Sequence, residues 1–229
     1  MPHTVVLFDI DGTLLHAGGA GRRALLRAFR EAFGADARID FSMAGLTDWA
    51  IMARVAKEIG VPQALFEERR LDLFTLYAGR LREEVGDGAG CALLAGVREL
   101  LDALSARLRV STGLLTGNLE SGAKIKMSPF GLGRYFAFGG YGSDSPERTQ
   151  IYRFARGRFP ASALAEGEPD VVIVGDTPHD VAVACAHGLR SLAVASGGHY
   201  AIRDLESAGA SHLFGNLSDT AAVLSALGC

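Results

Sequence analysis

Residues 170–176, Asp-Val-Val-Ile-Val-Gly-Asp, decide the fold. Val171 to Val174 form an unbroken, mostly β-branched apolar run with no polar alternation, so both faces of the strand must be covered. That is how an interior strand of a parallel sheet reads. Residues 4–10, Thr-Val-Val-Leu-Phe-Asp-Ile, read the same way and give a second buried strand. Working outward, Arg109 to Thr116, Phe136 to Tyr141 and Ser191 to Ala195 are further strands, and His212 to Gly215 is a short edge strand. Helical patterns lie between the later strands, as at Asp180 to His187, where Gly188 supplies the C-cap. Strands alternating with helices predict an α/β fold built on a parallel sheet.

The stretch between the first two strands in chain order breaks this rhythm. From about Gly19 to Val85 nothing reads as a strand, and three amphipathic stripes read as helices. Leu25, Leu26, Phe29 and Phe33 mark the first. Ile51, Met52, Val55 and Ile59 mark the second, behind a cap at Thr47 or Asp48. Leu65, Phe66, Phe74, Tyr77, Leu81 and Val85 mark the third, after Pro62. A fourth helix, Gly96 to Arg107, restores the α/β rhythm. Gly18, Gly19 and Gly21 precede the insertion, and Gly86, Gly88 and Gly90 follow it. The expected organisation is a core of residues 1–16 and 90–229 with an all-helical cap over 17–89.

Composition narrows the class. The 229 residues are 48% hydrophobic and 21% charged, enough apolar material for a core and too much for a disordered chain. A net charge of −3 with dispersed basic residues leaves no nucleic-acid footprint. The apolar run at Val5 to Phe8 is too short for a signal peptide or a membrane span. Cys91, Cys185 and Cys229 are odd in number and widely spaced, so neither a disulfide framework nor a zinc site is indicated. A soluble, cytoplasmic protein is expected.

The chemistry gathers at strand ends. Asp9-Ile10-Asp11-Gly12-Thr13 closes the first strand, where ligands of open α/β sheets collect. Two carboxylates about 4 Å apart repel by roughly 4 kcal/mol at an effective dielectric of about 20, and a cation or a shared proton must relieve them. Taken alone, Asp9 and Asp11 read equally well as turn formers. Asp176 ends the 170–176 strand and Asp180 follows in Gly175-Asp-Thr-Pro-His-Asp180, where it doubles as a helix-cap acid. Oxygen ligands converging on one sheet edge favour Mg²⁺. Thr116, Gly117 and Asn118 end the second strand and open a helix, which suits a phosphate-sized anion. The chain has only three lysines, Lys57, Lys124 and Lys126. Lys124 pairs with Glu120 at i,i+4 on a solvated face. Lys126 lies about 200° away, toward the sheet, and is the preferred cation for the site.

Together these motifs resemble the haloacid dehalogenase-like superfamily of phosphohydrolases. The match rests on DIDGT at 9–13, LLTGN ending at 118, a lysine on the following helix, and GDTPHD at 175–180; it spans about Thr4 to Gly198. It is nearest to the subgroup with a helical cap after the first motif, which includes phosphoglycolate phosphatase-like enzymes. One departure stands out: many relatives carry a Lys-Pro pair after the third strand, and Phe136 to Pro169 contains no lysine. The resemblance implies a Rossmann-like core and Mg²⁺-dependent hydrolysis of a small phosphate monoester, of phosphoglycolate or sugar-phosphate type. In it Asp9 is the nucleophile that becomes an aspartyl-phosphate, and Asp11 is the acid and base, starting protonated. Asp9, the Asp11 carbonyl and Asp176 hold the metal with Asp180 behind them, Thr116 and Gly117 hold phosphoryl oxygens, and Lys126 neutralises charge.

Sister chemistries rank below this. Asp11 argues against carbon–halogen cleavage, and Lys57 is the sole candidate for a Schiff base in phosphonate cleavage. A phosphomutase shares the aspartyl-phosphate. A receiver-like signalling domain would be about half as long, and a non-catalytic binding protein would not need every one of these residues. Gly131-Leu132-Gly133 lacks the spacing and the preceding strand of a dinucleotide fingerprint. In the cap, Arg22 and Arg23 are able to meet a substrate carboxylate, although an arginine-rich helix more often presents a solvated face. His16 and His199 are placed near the cleft, Trp49 and Tyr77 read mainly as core, and His179 reads as a surface residue.

Overall fold

The computed structural model describes residues 3–165 and 167–229. In chain order the strands are β1 (Thr4–Phe8), β2 (Leu15–His16), β3 (Ala92–Leu93), β4 (Val110–Leu115), β5 (Gly139–Gly140), β6 (Asp170–Gly175), β7 (Arg190–Val194) and β8 (His212–Phe214). The helices are α1 (Ala20–Phe33), α2 (Asp48–Glu58), α3 (Gln63–Val85), α4 (Val97–Ser105), α5 (Glu120–Met127), α6 (Arg148–Gly157), α7 (Ala161–Leu164), α8 (Pro178–Ala186), α9 (Ile202–Ser207) and α10 (Thr220–Leu227).

Six strands form one sheet in the order β5-β4-β1-β6-β7-β8, and each neighbouring pair is parallel. β1 and β6 are central, as their unbroken apolar runs require. Alternate residues of β1 serve opposite faces: Val6 and Phe8 join the core under α4 and α10, while Val5 and Leu7 pack with Ile151 of α6 and Val183 and Ala184 of α8. Register sets the site. Phe8 pairs with both Leu114 and Val174, so the residues just beyond these three strands, Asp9, Thr116 and Asp176, share one edge of the sheet.

The three helices between β2 and β3 form the all-helical insertion. α1 and α3 pack closely along their length through Ala24, Leu25, Ala28 and Phe29 on one helix and Leu73, Tyr77 and Leu81 on the other, all buried. Arg27, Arg80, Glu31, Glu83 and Glu84 link the same helices on the outside. Thr47 is the N-cap of α2, its hydroxyl accepting the Ala50 N–H at 3.0 Å.

Two features differ from the sequence reading. The junction of insertion and core carries a two-residue antiparallel ribbon, Leu15–His16 against Ala92–Leu93, too short to show any period. The strand expected over Phe136 to Tyr141 shrinks to Gly139–Gly140. A Cβ on Gly140 would come within 2.6 Å of the Ile151 carbonyl oxygen, so here the edge strand runs directly against α6.

Candidate active site

Asp9 leaves the end of β1 buried, its N–H donated to the Val174 carbonyl at 2.9 Å. Asp176, at the end of β6, accepts the Thr13 hydroxyl at 3.2 Å. Asp180 closes a capping box on α8, accepting the Thr177 N–H at 3.0 Å and its hydroxyl at 2.8 Å. One carboxylate oxygen from each of Asp9, Asp176 and Asp180 lies within 4.8 Å of the other two. One side chain therefore both caps α8 and joins the cluster of Asp9 and Asp176.

Gly12 makes this approach possible. It has φ +81, and a Cβ there would fall 2.3 Å from an Asp176 carboxylate oxygen, so the turn after Asp11 closes against β6 only with glycine.

The cation at Asp9 is Arg148, the first residue of α6. Its guanidinium is buried, 3.0 Å from Asp9 and hydrogen-bonded to Asp180. The sequence reading sought a lysine here and passed over an arginine in the Ser145-Pro146-Glu147-Arg148 turn. The available signal was position: a basic residue after the third strand, two residues past a proline.

Lys126 does turn inward, as its helical phase predicts, and is only 5% exposed. Its ammonium donates to Asp11 and to the Asn118 side-chain carbonyl, each at 2.6 Å. The Asn118 amide reaches Asp11 at 2.8 Å and the Thr116 hydroxyl at 2.9 Å. Lys124 instead holds Glu120 at 2.7 Å on the surface.

Charge divides the site. Burial, with Asp180 and Asp11 nearby, lifts the Asp9 carboxyl to about 6 against the pull of Arg148 and the Thr116 hydroxyl. Burial and the repulsion of Asp9 and Asp180 push Asp176 to about 8. Asp11 goes the other way: burial raises it, but the Lys126 charge and the hydrogen bonds from Lys126 and Asn118 bring it below the usual carboxylate value. The sequence reading expected anionic neighbours and partial burial to favour the protonated form of Asp11; here the Lys126 contact favours the carboxylate. Its nearest charged neighbour is a cation, not another acid.

The insertion closes over this floor. The Asp48 N–H donates to the Gly117 carbonyl at 2.7 Å, and its carboxylate accepts the Leu119 N–H at 2.9 Å, satisfying an orphan donor at the start of α5. Thr47 donates its hydroxyl to the Pro146 carbonyl at 2.9 Å, and Arg148 reaches the Gly45 carbonyl at 3.2 Å. A Cβ on Gly117 would meet the Leu46 carbonyl oxygen at 2.3 Å; the 43–48 loop seats on Gly117 because no side chain intervenes. Tyr77 lies near Asp48, and burial followed by the Asp48 charge raises its phenol well above normal.

Between floor and insertion lies a cavity of about 400 Å³, lined by Asp9, Asp11, Gly117, Asn118, Lys126, Arg148 and Asp176 below. Its size falls in the lower part of the range of roughly 300–1,000 Å³ typical of small-molecule sites. Tyr77, read as core, is fully buried and also lines the cavity, whereas Trp49 packs on Phe74 and Arg70 instead. His16 and His199 reach the rim, and exposed His179 lies against Gly45.

Residues 3–188 match the family model for the haloacid dehalogenase-like hydrolases. The chain belongs to that family. As a haloacid dehalogenase-like hydrolase it has the parallel core and the helical insertion that its motifs imply. It resembles CbbY from Rhodobacter sphaeroides, solved with phosphate, at 20% identity and TM-score 0.71, with all of both chains covered. It also resembles a candidate phosphoglycolate phosphatase from Lactobacillus plantarum, at 16% identity and TM-score 0.64, covering 99% of this chain and 100% of the other. A candidate beta-phosphoglucomutase from Bacteroides vulgatus aligns at 19% identity and TM-score 0.66, covering 99% and 89%. These likenesses are of fold. No curated protein matches the chain in sequence.

Proposed function

We propose that this hydrolase is a Mg²⁺-dependent phosphatase acting on a small phosphate monoester, of phosphoglycolate or sugar-phosphate type, through a phosphoryl group carried on Asp9. The supporting observation is the division of one closed cavity into a carboxylate flanked by Arg148 and a second carboxylate held by Lys126. A nucleophile and an acid two residues apart need such separate environments.

In the first step an Asp9 oxygen forms a bond to phosphorus while the bond from phosphorus to the ester oxygen breaks. The leaving oxygen takes a proton from Asp11. In the second step Asp11, now a carboxylate, removes a proton from water; the water oxygen bonds to phosphorus and Asp9 is released. Asp11 rests as a carboxylate on Lys126, so its proton has to arrive with substrate, as phosphoryl oxygens draw Lys126 away. Thr116, Gly117 and Asn118 would position those oxygens beside Arg148.

The donors fit a hard divalent cation. Three carboxylates gather with one fixed cation among them, and burial together with their mutual repulsion raises the acids of two of them. Asp9, Asp176 and the Asp11 carbonyl would hold Mg²⁺, with Asp180 behind, and the ion would neutralise phosphoryl charge. Residues 17–89 would act as a lid that excludes water from the first step, with 1–16 and 90–229 as the core. The partner is a small phosphorylated metabolite. Among the described residues no helix is long and apolar enough to cross a membrane.

Purified protein is expected to release phosphate from an aryl phosphate with Mg²⁺ and to stop when the ion is chelated. Retention of turnover in Asp9→Asn would falsify the nucleophile assignment. Incubation with a sugar 1-phosphate separates the phosphomutase reading: isomer without free phosphate would replace the phosphatase with a mutase.

A further inference from the structure

α1 carries four arginines in its first three turns, and three have carboxylate partners. Arg23 donates to Glu84 at 2.7 Å, Arg27 to Glu83 at 2.6 Å and to Glu84 at 3.0 Å, and Arg30 to Asp36 at 2.6 Å. Arg22 differs. Turned about 100° from Arg23 around the helix, it is exposed and lines the cavity. Among the described residues it has no carboxylate partner. Its guanidinium donates instead to the backbone carbonyl of Ile39, which orients the planar group without cancelling its charge.

The rest of the cavity makes that charge stand out. Lys126 and Arg148, the other arginine and lysine of the lining, are both consumed by ion pairs in the floor. The insertion wall beside Arg22 is apolar at Leu25, Met43, Leu46 and Ile51, and acidic at Asp48. Of the arginines and lysines in the lining, Arg22 alone is left without a carboxylate among the described residues, available to a second negative group on a bound molecule. Guanidinium groups held by one donor keep others free for carboxylate or phosphate oxygens, and such charge-assisted bonds are the strong ones.

We propose that Arg22 is a specificity-determining residue that binds a second anionic group of the substrate, a carboxylate or a further phosphate, on the part remote from the phosphorus under attack. The proposal rests on the phosphatase reading and narrows its substrate class to doubly anionic esters. Arg22 is exposed like Arg23, Arg27 and Arg30, but of the four it alone lines the cavity and has no carboxylate partner among the described residues.

Two matched pairs of esters test it: 2-phosphoglycolate against ethyl phosphate, and a sugar bisphosphate against the corresponding monophosphate. The ratio of kcat/KM within each pair is measured on one preparation, so it is insensitive to partial unfolding of a variant. The wild-type protein is expected to favour the doubly charged member of at least one pair by about tenfold or more. Arg22→Ala and Arg22→Gln should each erase that preference, mainly through KM, and Arg22→Lys should restore part of it. The pair whose ratio collapses identifies the anion as carboxylate or phosphate. An unchanged ratio in both variants, or no preference in the wild type, overturns the proposal. Calorimetric titration of the same esters into Asp9→Asn protein, with and without Arg22→Ala, gives the affinity ratio without turnover. A protein that hydrolyses neither ester but still loses its charge preference with Arg22 would sink the phosphatase reading and keep this one.

Discussion

The two sides of the cavity floor handle buried charge in opposite ways. On the Asp9 side three carboxylates share one arginine, and two of them are lifted to about 6 and about 8. On the Asp11 side one carboxylate accepts from both a lysine and an amide, and it falls below its ordinary range. The first side is short of positive charge and built to receive it. The second is balanced until a phosphate disturbs it. This contrast supports the proposed division of nucleophile and acid between two aspartates that the sequence places only two residues apart.

The largest effect that would break the comparison is on the nucleophile side. Asp9→Asn is expected to lower kcat by at least about 10³-fold, since it removes the covalent step altogether. Asp11→Asn is expected to cost about 10²–10⁴-fold in kcat for an alkyl ester and much less for an activated aryl ester, whose leaving group needs little protonation. Equal losses on the two esters would remove the acid role and with it half of the contrast.

Much of this was legible in the chain. Val171 to Val174 and Val5 to Phe8 are apolar without alternation, so their central place in a parallel sheet, and the exit of Asp9 and Asp176 at one edge, followed from pattern alone. Lys126 was separable from Lys124 because helical phase turns one inward and leaves the other beside Glu120. Arg148 was not legible in the same way. It follows a Ser-Pro-Glu turn and opens a helix with two further arginines at 153 and 156 and a third just past its end at 158, so nothing local marks it as buried. Only the packing of α6 under the edge of β1 carries it to Asp9. The split between Arg22 and Arg23 was hidden for a related reason: which neighbour has a glutamate depends on where α3 lies. The Lys126–Asp11 pairing, which lowers the Asp11 carboxyl against burial, is likewise a matter of 2.6 Å contact rather than of pattern.

Smaller effects sharpen the contrast. Raised carboxyls bind protons in the folded state that the unfolded chain has already released. In metal-free protein their stabilising contribution is therefore complete below about pH 4 and is lost as pH rises through about 6 for Asp9 and about 8 for Asp176. Mg²⁺ replaces those protons, so its stabilisation of the fold, read as the gain in Tm, is expected to be larger at pH 8 than at pH 5. A gain that shrinks with rising pH would place the ion elsewhere. At the bottom of the scale, Lys124→Ala breaks only a surface pair and should change stability by about 0.5 kcal/mol or less in denaturant titration. Lys126→Met, which strands Asp11 and Asn118, should cost several times more.

The most direct test is to quench a single turnover in acid and map the phosphoryl group by mass spectrometry of the resulting peptides. The wild-type protein should carry one phosphoryl group on Asp9, and Asp11→Asn should accumulate more of it, because water is no longer activated against it. Full phosphate release with no phosphoryl group on Asp9 at any quench time, or one found on another residue, would contradict the assignment of the two aspartates.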